Sequence, residues 1–250
     1  MKFSIIIPSY NQDRFIEQTL KNVVDLKNRC YDKKIAIEII VYDNLSNDNV
    51  QNIIKKHESF IDVLKIEQDN GQFDAINKGL NHVTGNYWTW LNTDDLIDFN
   101  GFFKLVDYLV ENEVDYIYGN INTIDVAGKI LDERTSGEIS LASLTTTDAS
   151  ITQPGSFFRT AFTNKIGPLK SYRFAFDYEY ILRILKNYGK VVKVNAVVAQ
   201  FRYYEESKSG SKDARFLIEQ LEIAKLYGCK LFSKLSLVLR LRILKRKFVN

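Results

Sequence analysis

The 250-residue chain holds two cysteines, Cys30 and Cys229, which stand far apart with no CxxC and no Cys/His spacing. That excludes a disulfide framework and a structural zinc site, so reduced thiols are expected. No run of about 18 uncharged apolar residues occurs, the length a helix needs to cross a bilayer. The first residues enter a strand pattern at Ser4-Ile5-Ile6-Ile7 with no basic n-region or apolar h-region, which predicts a cytoplasmic protein. GxxxxGK and GxGxxG are both missing, so a phosphate would not be cradled by either common glycine loop. The two histidines, His57 and His82, have no partner at ligand spacing and are expected on helix surfaces. There is no internal repeat and no low-complexity segment.

What is present begins with 45% hydrophobic residues, ample for a packed core in one large domain. Charge is unevenly placed. The net charge is +3, yet Lys230, Lys234, Arg240, Arg242, Lys245, Arg246 and Lys247 put +7 and no acid into residues 230–250, leaving −4 on the body. Leu231, Phe232, Leu235, Val238, Leu239, Leu241, Ile243 and Leu244 interleave with these bases. An interfacial helix drawn to anionic lipid fits that composition. The basic positions scatter around a helical wheel, however, so a helix packed on the body or on a partner subunit fits equally well. Nucleic acid is a poor partner because the body is not basic and aromatic interleaving is absent.

Along the chain, β-branched runs alternate with amphipathic stretches. Strands are expected at Ser4 to Ile7, Ile35 to Tyr42, Ile61 to Glu67, Tyr87 to Leu91 and Asp115 to Tyr118. Between them Phe15, Ile16, Leu20, Val23 and Val24 mark one helix, with Asn11 or Asp13 as its cap, and further helices are expected near Val50 to His57, Phe73 to Val83 and Phe99 to Glu111. This alternation predicts an α/β fold with a Rossmann-like, mostly parallel sheet flanked by helices. Residues 1–212 form the main domain, with halves at 1–120 and 121–212, and 213–250 form a helical, basic extension. In the second half, Gln153 to Arg159 and Val191 to Phe201 are strand-like, Phe176 to Leu185 and Asp213 to Tyr227 are helical, and Arg202 to Lys212 is a loop.

Parallel strands bring their carboxyl ends to one edge, where such sheets bind ligands. Ser9, Asp43, Asp69 and Asp94 each lie just past an expected strand end. The run Trp88-Thr89-Trp90-Leu91-Asn92-Thr93-Asp94-Asp95 carries two adjacent carboxylates to that edge, and uncovered like charges are costly without a cation or donor to meet them. A carboxylate pair holding Mg²⁺ or Mn²⁺ against a diphosphate is one solution, with Asp94 the principal ligand and Asp95 the second. By itself the pair also reads as a helix cap with a solvated neighbour. Trp88 and Trp90 share a strand face and fit core or pocket wall.

Read together, Pro8-Ser9-Tyr10-Asn11, Asp43, Asp69 to Gly79, Leu91 to Asp95, Gln153-Pro154-Gly155-Ser156-Phe157-Phe158-Arg159 and Phe176-Asp177-Tyr178-Glu179 resemble, in order and spacing, the family 2 glycosyltransferases over about residues 3–209. The resemblance implies a GT-A fold and inverting, metal-dependent transfer of a hexose from a nucleotide-sugar donor, typically a UDP-sugar, to a hydroxyl of a glycan or lipid-linked acceptor. It implies that Pro8, Ser9, Tyr10, Asn70, Gly71 and Asn92 line the nucleotide pocket and that Asp43 accepts from the base. Asn92 and Asp94 take the first and third places of the DxD motif, and Asp177 matches the catalytic base. Asn70 stands where an Arg is frequent, and Tyr204 where many relatives have His. Glu179 is an alternative to Asp177 or an acceptor contact. Gln153 is either an acceptor contact or, with Arg159, a loop anchor. Localisation is expected to be cytoplasmic with peripheral contact at the inner face of the membrane through Lys230 to Lys247. Two competing functions follow: a non-catalytic sugar-nucleotide or glycan-binding protein on the same fold, and a nucleotidyltransferase, which would want a basic, Gly-rich loop after the first strand.

Overall fold

The β-branched run Lys2–Ser9 forms β1 of a computed structural model that describes residues 1–148, 150–151, 153–205, 207 and 214–248, with the side chains of 247 and 248 left out. β1 is followed by α1 (Ile16–Tyr31), β2 (Ala36–Asp43), α2 (Asp48–Lys56), β3 (Val63–Ile66), α3 (Gln72–Leu80) and β4 (Tyr87–Trp90). β1 pairs in parallel with β2 from Lys2↔Ala36 to Ser9↔Asp43 and with β4 from Phe3↔Tyr87 to Ile6↔Trp90, while β3 extends β2. All four carboxyl ends therefore point to one edge, as the alternation predicts. The cap expected for α1 is corrected. Asn11 and Asp13 instead tie the β1–α1 loop to the start of α2, Asn11 Oδ1 accepting from Asn47 N at 2.9 Å and Asp13 Oδ2 from Asn49 Nδ2 at 3.1 Å.

The chain continues through β5 (Leu96–Ile97), α4 (Phe99–Glu111), β6 (Tyr116–Ile124), β7 (Ile130–Arg134), α5 (Leu141–Thr146), β8 (Ser156–Arg159), α6 (Thr160–Ile166), α7 (Phe176–Lys186), β9 (Val191–Arg202), α8 (Ala214–Leu226) and α9 (Lys234–Phe248). The sheet order is β3-β2-β1-β4-β8-β6-β9-β5, with β7 on β6. The sheet is mostly parallel, as expected, with one insertion from the second half of the chain: β8 lies between β4 and β6, antiparallel to both. β6 and β9 then pair in parallel. β7 is exposed at all five residues and β5 is two residues long, so neither carries an apolar period to read. Gly101 lets α4 approach β9, because a Cβ there would stand 1.6 Å from the Val197 carbonyl oxygen.

Alternation along the strands splits the core. Ile5 and Ile7 face Leu20, Phe102 and Leu105 of α1 and α4, while Ile6 faces the other side with Ile40 and Ile76. On that second side Trp88 and Trp90 stack on Phe158 at 4.8 and 5.5 Å between ring centroids, which makes them core. Leu217, Leu221, Leu235 and Leu239 of α8 and α9 belong to the same cluster. Each such buried aliphatic side chain contributes about 1.5–3 kcal/mol, so the extension is built into the core it covers. The boundary expected at 212–213, like most of the loop expected from 202 to 212, lies outside the described residues. No helix among the described residues is long and apolar enough to cross a membrane.

Candidate active site

A cavity of about 690 Å³ opens at the carboxyl edge of β1 and β4. Pro8, Ser9 and Tyr10 enter it from the end of β1, Asn70 and Gly71 from the turn before α3, and Asn92 and Asp94 from the turn after β4. These seven predicted residues come from three separate strand ends and meet on one wall. Gly71 caps α3 at φ +113°, backbone that a side chain rarely adopts, and its N–H is held by Asp69 Oδ1 at 2.8 Å. Burial pushes the Asp69 carboxyl above its ordinary pKa. Asn70 N and Nδ2 both donate to Asp74 Oδ2, at 2.9 and 3.2 Å.

Asp94 presents its carboxylate to the cavity with a phenol beside it. Tyr204 Oη donates to Asp94 Oδ2 at 2.7 Å and accepts from Gln12 Nε2 at 3.0 Å. Burial, then the Asp94 charge, holds the Tyr204 hydroxyl well above its ordinary pKa, so it stays a neutral donor. Asn92 is fixed on both ends of its amide, with Oδ1 accepting from Gln72 Nε2 and Nδ2 donating to Asp95 Oδ2 at 2.9 Å.

Asp95 does not share the cavity. It is buried, Oδ1 takes Arg202 N at 3.1 Å, Oδ2 takes Asn92, and its carbonyl takes Thr19 Oγ1 at 3.0 Å. Burial and the adjacent Asp94 charge drive its pKa well above the usual carboxylate range. The second-ligand role expected of Asp95 is corrected to that of a brace behind Asp94. Arg202 completes the brace: Nε donates to the Asp94 carbonyl at 3.0 Å, Nη1 to the Asp125 and Val126 carbonyls at 2.7 and 3.1 Å, and Nη2 to Gln18 Oε1 at 2.7 Å. The sequence reading missed Arg202. Its signal was a lone Arg closing an apolar strand run in a chain with two carboxylates to anchor.

Three further expectations change. Asp43 is buried behind Ser9, accepting from Ser9 Oγ at 2.7 Å and from Ser46 N and Oγ at 2.9 and 2.6 Å, so its expected base contact becomes an anchor for the wall. Gln153 is buried and donates from Nε2 to the Trp90 carbonyl at 2.9 Å, which is the loop-anchor alternative and not an acceptor contact. Glu179 is fully buried, paired with Lys170 at 2.8 Å and Arg183 at 2.9 Å and accepting from Tyr227 Oη at 2.6 Å, so it is a structural ion cluster. Asp177 lies in the first turn of α7, half-buried, with Oδ1 accepting from Tyr178 N at 2.7 Å. It is not among the cavity's lining residues. The preceding Phe176 packs on Trp90 at 5.8 Å, so the start of α7 abuts the strand that delivers Asn92 and Asp94.

The donor set suits a hard divalent cation that brings its own phosphate oxygens. Asp94 offers one carboxylate to the cavity, and Mg²⁺ and Mn²⁺ are commonly held by one or two carboxylates together with substrate phosphates and water. A closed protein cage is not what the chain provides: among the described residues no group of three His, Cys, Asp or Glu side chains converges. Arg173, exposed at the cavity mouth, is a cation that sequence reasoning did not single out.

The model of "Glycosyl transferase family 2" matches residues 4–173, which covers the ends of β1, β3 and β4 around this cavity. The chain belongs to glycosyl transferase family 2. A relative from Escherichia coli, UDP-Glc:alpha-D-GlcNAc-diphosphoundecaprenol beta-1,3-glucosyltransferase WfgD, is 27% identical over 132 residues, which are 51% of this chain and 50% of that protein. The chain spans about half the length of the curated relatives it matches in this way. Solved structures share its fold. Staphylococcus aureus TarS 1–349 in complex with UDP-GlcNAc has a TM-score of 0.69 at 19% identity, covering 100% of this chain and 73% of that one. The mannosyltransferase PcManGT from Pyrobaculum calidifontis in complex with GDP-Man and Mn2+ has a TM-score of 0.67 at 16% identity, covering 96% and 69%. At these identities the structures establish a GT-A fold for this family 2 chain and nothing finer.

Proposed function

We propose that this chain is an inverting hexosyltransferase that moves a sugar from a UDP-sugar to a hydroxyl of a glycan or lipid-linked acceptor in surface polysaccharide or glycolipid synthesis. The observation that carries the reading is the convergence of Ser9, Gly71, Asn92 and Asp94 from three strand ends on one cavity, with Asp177 at the start of the helix packed against the same strand. The nucleoside would lie along Pro8, Ser9 and Tyr10, and its diphosphate between Gly71, Arg173 and Asp94. Mn²⁺ or Mg²⁺, held by Asp94 and the diphosphate oxygens, would supply positive charge that stabilises the leaving nucleoside diphosphate. Asp177 takes the proton of the acceptor hydroxyl as its oxygen bonds to the anomeric carbon. The bond from that carbon to the diphosphate breaks on the opposite face, which inverts the centre and releases UDP.

A second cavity of about 360 Å³ supports an acceptor side next to α7. Tyr116 and Leu144 line it. The Leu144 carbonyl accepts from Tyr178 Oη at 2.6 Å, and Tyr178 follows Asp177 in α7. The test of the whole reading is Mn²⁺-dependent release of UDP from UDP-glucose and UDP-N-acetylglucosamine. Asp177→Asn is expected to lose about 10²–10⁴-fold. The binding-protein reading, favoured by Asn92 in the first DxD place, wins if nucleotide binds with Mn²⁺ and no donor turns over.

The reading places the enzyme at a membrane surface through α9. Leu235 and Leu239 are buried against the body, while Leu237, Leu241 and Leu244, spaced at i, i+4 and i+7, are 45%, 67% and 50% exposed on the opposite face. Apolar residues on two faces explain why the bases look scattered on a wheel: one face packs and the other, flanked by Lys234, Arg240 and Lys245, is left for anionic lipid. Sedimentation with vesicles is expected for phosphatidylglycerol mixtures, to fail for phosphatidylcholine alone, and to be lost in Leu237→Asn/Leu241→Asn.

A further inference from the structure

α8 lies beyond the stretch matched by the family, yet it reaches back to the segment that carries Asp177. Glu219, in the middle of α8, accepts three consecutive backbone N–H groups: Arg173 N at 2.9 Å on Oε1, and Phe174 N and Ala175 N at 2.7 and 3.0 Å on Oε2. Ala175 is the N-cap of α7 and makes no side-chain cap hydrogen bond, so the carboxylate from α8 holds the N-cap amide and the two amides that lead into it. The captured amides stand next to two site residues at once. Arg173 lines the donor cavity, and Asp177 follows Ala175 by two positions. A second tie from the same region, Tyr227 Oη to Glu179 Oε1 at 2.6 Å, holds the first turn of α7 itself.

We propose that Glu219 is a positioning residue for the reaction: by gathering the 173–175 amides it sets the direction in which α7 starts and so aims Asp177 at the acceptor hydroxyl. Loss of one carboxylate would let the start of the helix unwind while its buried body stays packed, because Tyr180, Ile181 and Ile184 hold the rest of α7 in the core. The inference rests on Asp177 as the base.

The test uses the full chain, with two readouts: native-state amide exchange, and UDP release from UDP-glucose or UDP-N-acetylglucosamine with Mn²⁺. Glu219→Gln is expected to speed exchange at Arg173, Phe174 and Ala175 at least about tenfold and to lower kcat about 10–100-fold, the cost of misplacing a reacting group by roughly 1 Å. Glu219→Asp keeps the charge on a shorter stem and is expected to recover part of both, and it reads the same exchange if Glu219→Gln does not fold. On an Asp177→Asn background, Glu219→Gln is expected to lower the residual rate no further, since the group it aims is gone. Unchanged exchange at the three amides overturns the clamp. Faster exchange with wild-type kcat, where Asp177→Asn is inactive, overturns its part in aiming the base. An Asp177→Asn variant that releases UDP at the wild-type rate overturns the base assignment itself, and exchange then decides the clamp alone.

Discussion

The half of this molecule from β1 to β4 and the half from β6 onward present their cavity and anchoring residues in opposite ways. From β1 to β4, backbone register does the positioning: parallel pairing puts Ser9 opposite Asp43 and carries β4 to the same edge, and residues just past a strand end reach the cavity whatever their long-range partners. From β6 onward the strands mix directions, and side chains are placed by contacts across the fold: Gln153 on Trp90, Tyr204 and Arg202 on Asp94, Glu219 on the amides before α7. A register-built wall is expected to tolerate change in single side chains better than a wall built from hydrogen bonds between distant parts of the chain.

The joint between the halves is where the comparison breaks most visibly. Arg202, at the end of β9, is 1% exposed and spends its guanidinium on carbonyls of two loops and on Gln18, while its backbone N–H serves Asp95. Arg202→Met leaves four acceptors, the Asp94, Asp125 and Val126 carbonyls and Gln18 Oε1, without their donor. A loss of several kcal/mol in urea unfolding is expected, at about 1–3 kcal/mol for each buried acceptor left unsatisfied. Next comes Asp94→Asn, which leaves the frame intact and removes the carboxylate that Tyr204 meets at the cavity, while Asp69 stays in the same lining. Mn²⁺-dependent UDP release is expected to fall on the order of 10²-fold or more with an unchanged unfolding midpoint, and UDP binding in EDTA is expected to match wild type. If instead Asp94→Asn unfolds the protein, the division into a robust wall and a fragile joint is wrong.

A milder change sharpens the comparison at Tyr204. The phenol satisfies Asp94 Oδ2 but is a poor metal ligand at neutral pH, and an imidazole in its place adds a nitrogen donor. Tyr204→His is expected to lower the Mn²⁺ concentration for half-maximal activity by about tenfold, the lower end of what changes around a metal ligand produce. Tyr204→Phe is expected to move activity the other way, since Asp94 and Gln12 both lose a partner.

The same division decides what the sequence could show. β-branched runs ending in Pro8-Ser9, Tyr42-Asp43 and Leu91-Asn92 were legible because a buried parallel strand announces itself by composition and its end by turn residues. α4 was read at Phe99–Glu111, its observed bounds, since its period is strong and Asp98 caps it at Gly101 N, 2.9 Å away. β8 was legible as a strand and not as the antiparallel partner of β4, because pairing partners leave no local trace. Asp95 misled for a related reason: alternation gives the side of a strand, and here the side away from Asp94 is protein, with Arg202 waiting 107 residues downstream. Glu179 and Gln153 looked like site residues by motif position, while their burial is set by Lys170, Arg183, Tyr227 and Trp90, none of which a local pattern brings near.

The smallest expected effect tests the β1–β4 half on its own terms. Glu38, on β2, is a buried carboxylate that receives Lys2 Nζ at 2.6 Å, Thr84 N at 3.0 Å and the hydroxyls of Ser4 and Thr84, so it staples β1, β2 and the turn before β4 at the end opposite the cavity. Burial alone would raise its pKa, but these four donors outweigh it and hold the carboxyl at about 2, against an ordinary 4.5. A depressed folded-state pKa means that the unfolded chain takes up the proton first. The stabilisation is therefore complete above about pH 4.5 and drains away as pH falls toward 2. Glu38→Gln is expected to remove that part of the acid dependence, flattening the urea midpoint between pH 4.5 and 2 relative to wild type, with Mn²⁺-dependent UDP release at pH 7 unaffected. Equal slopes in the two proteins would show that the network is not coupled to folding, and a loss of activity at pH 7 would show that the cavity wall depends on more than the strand register.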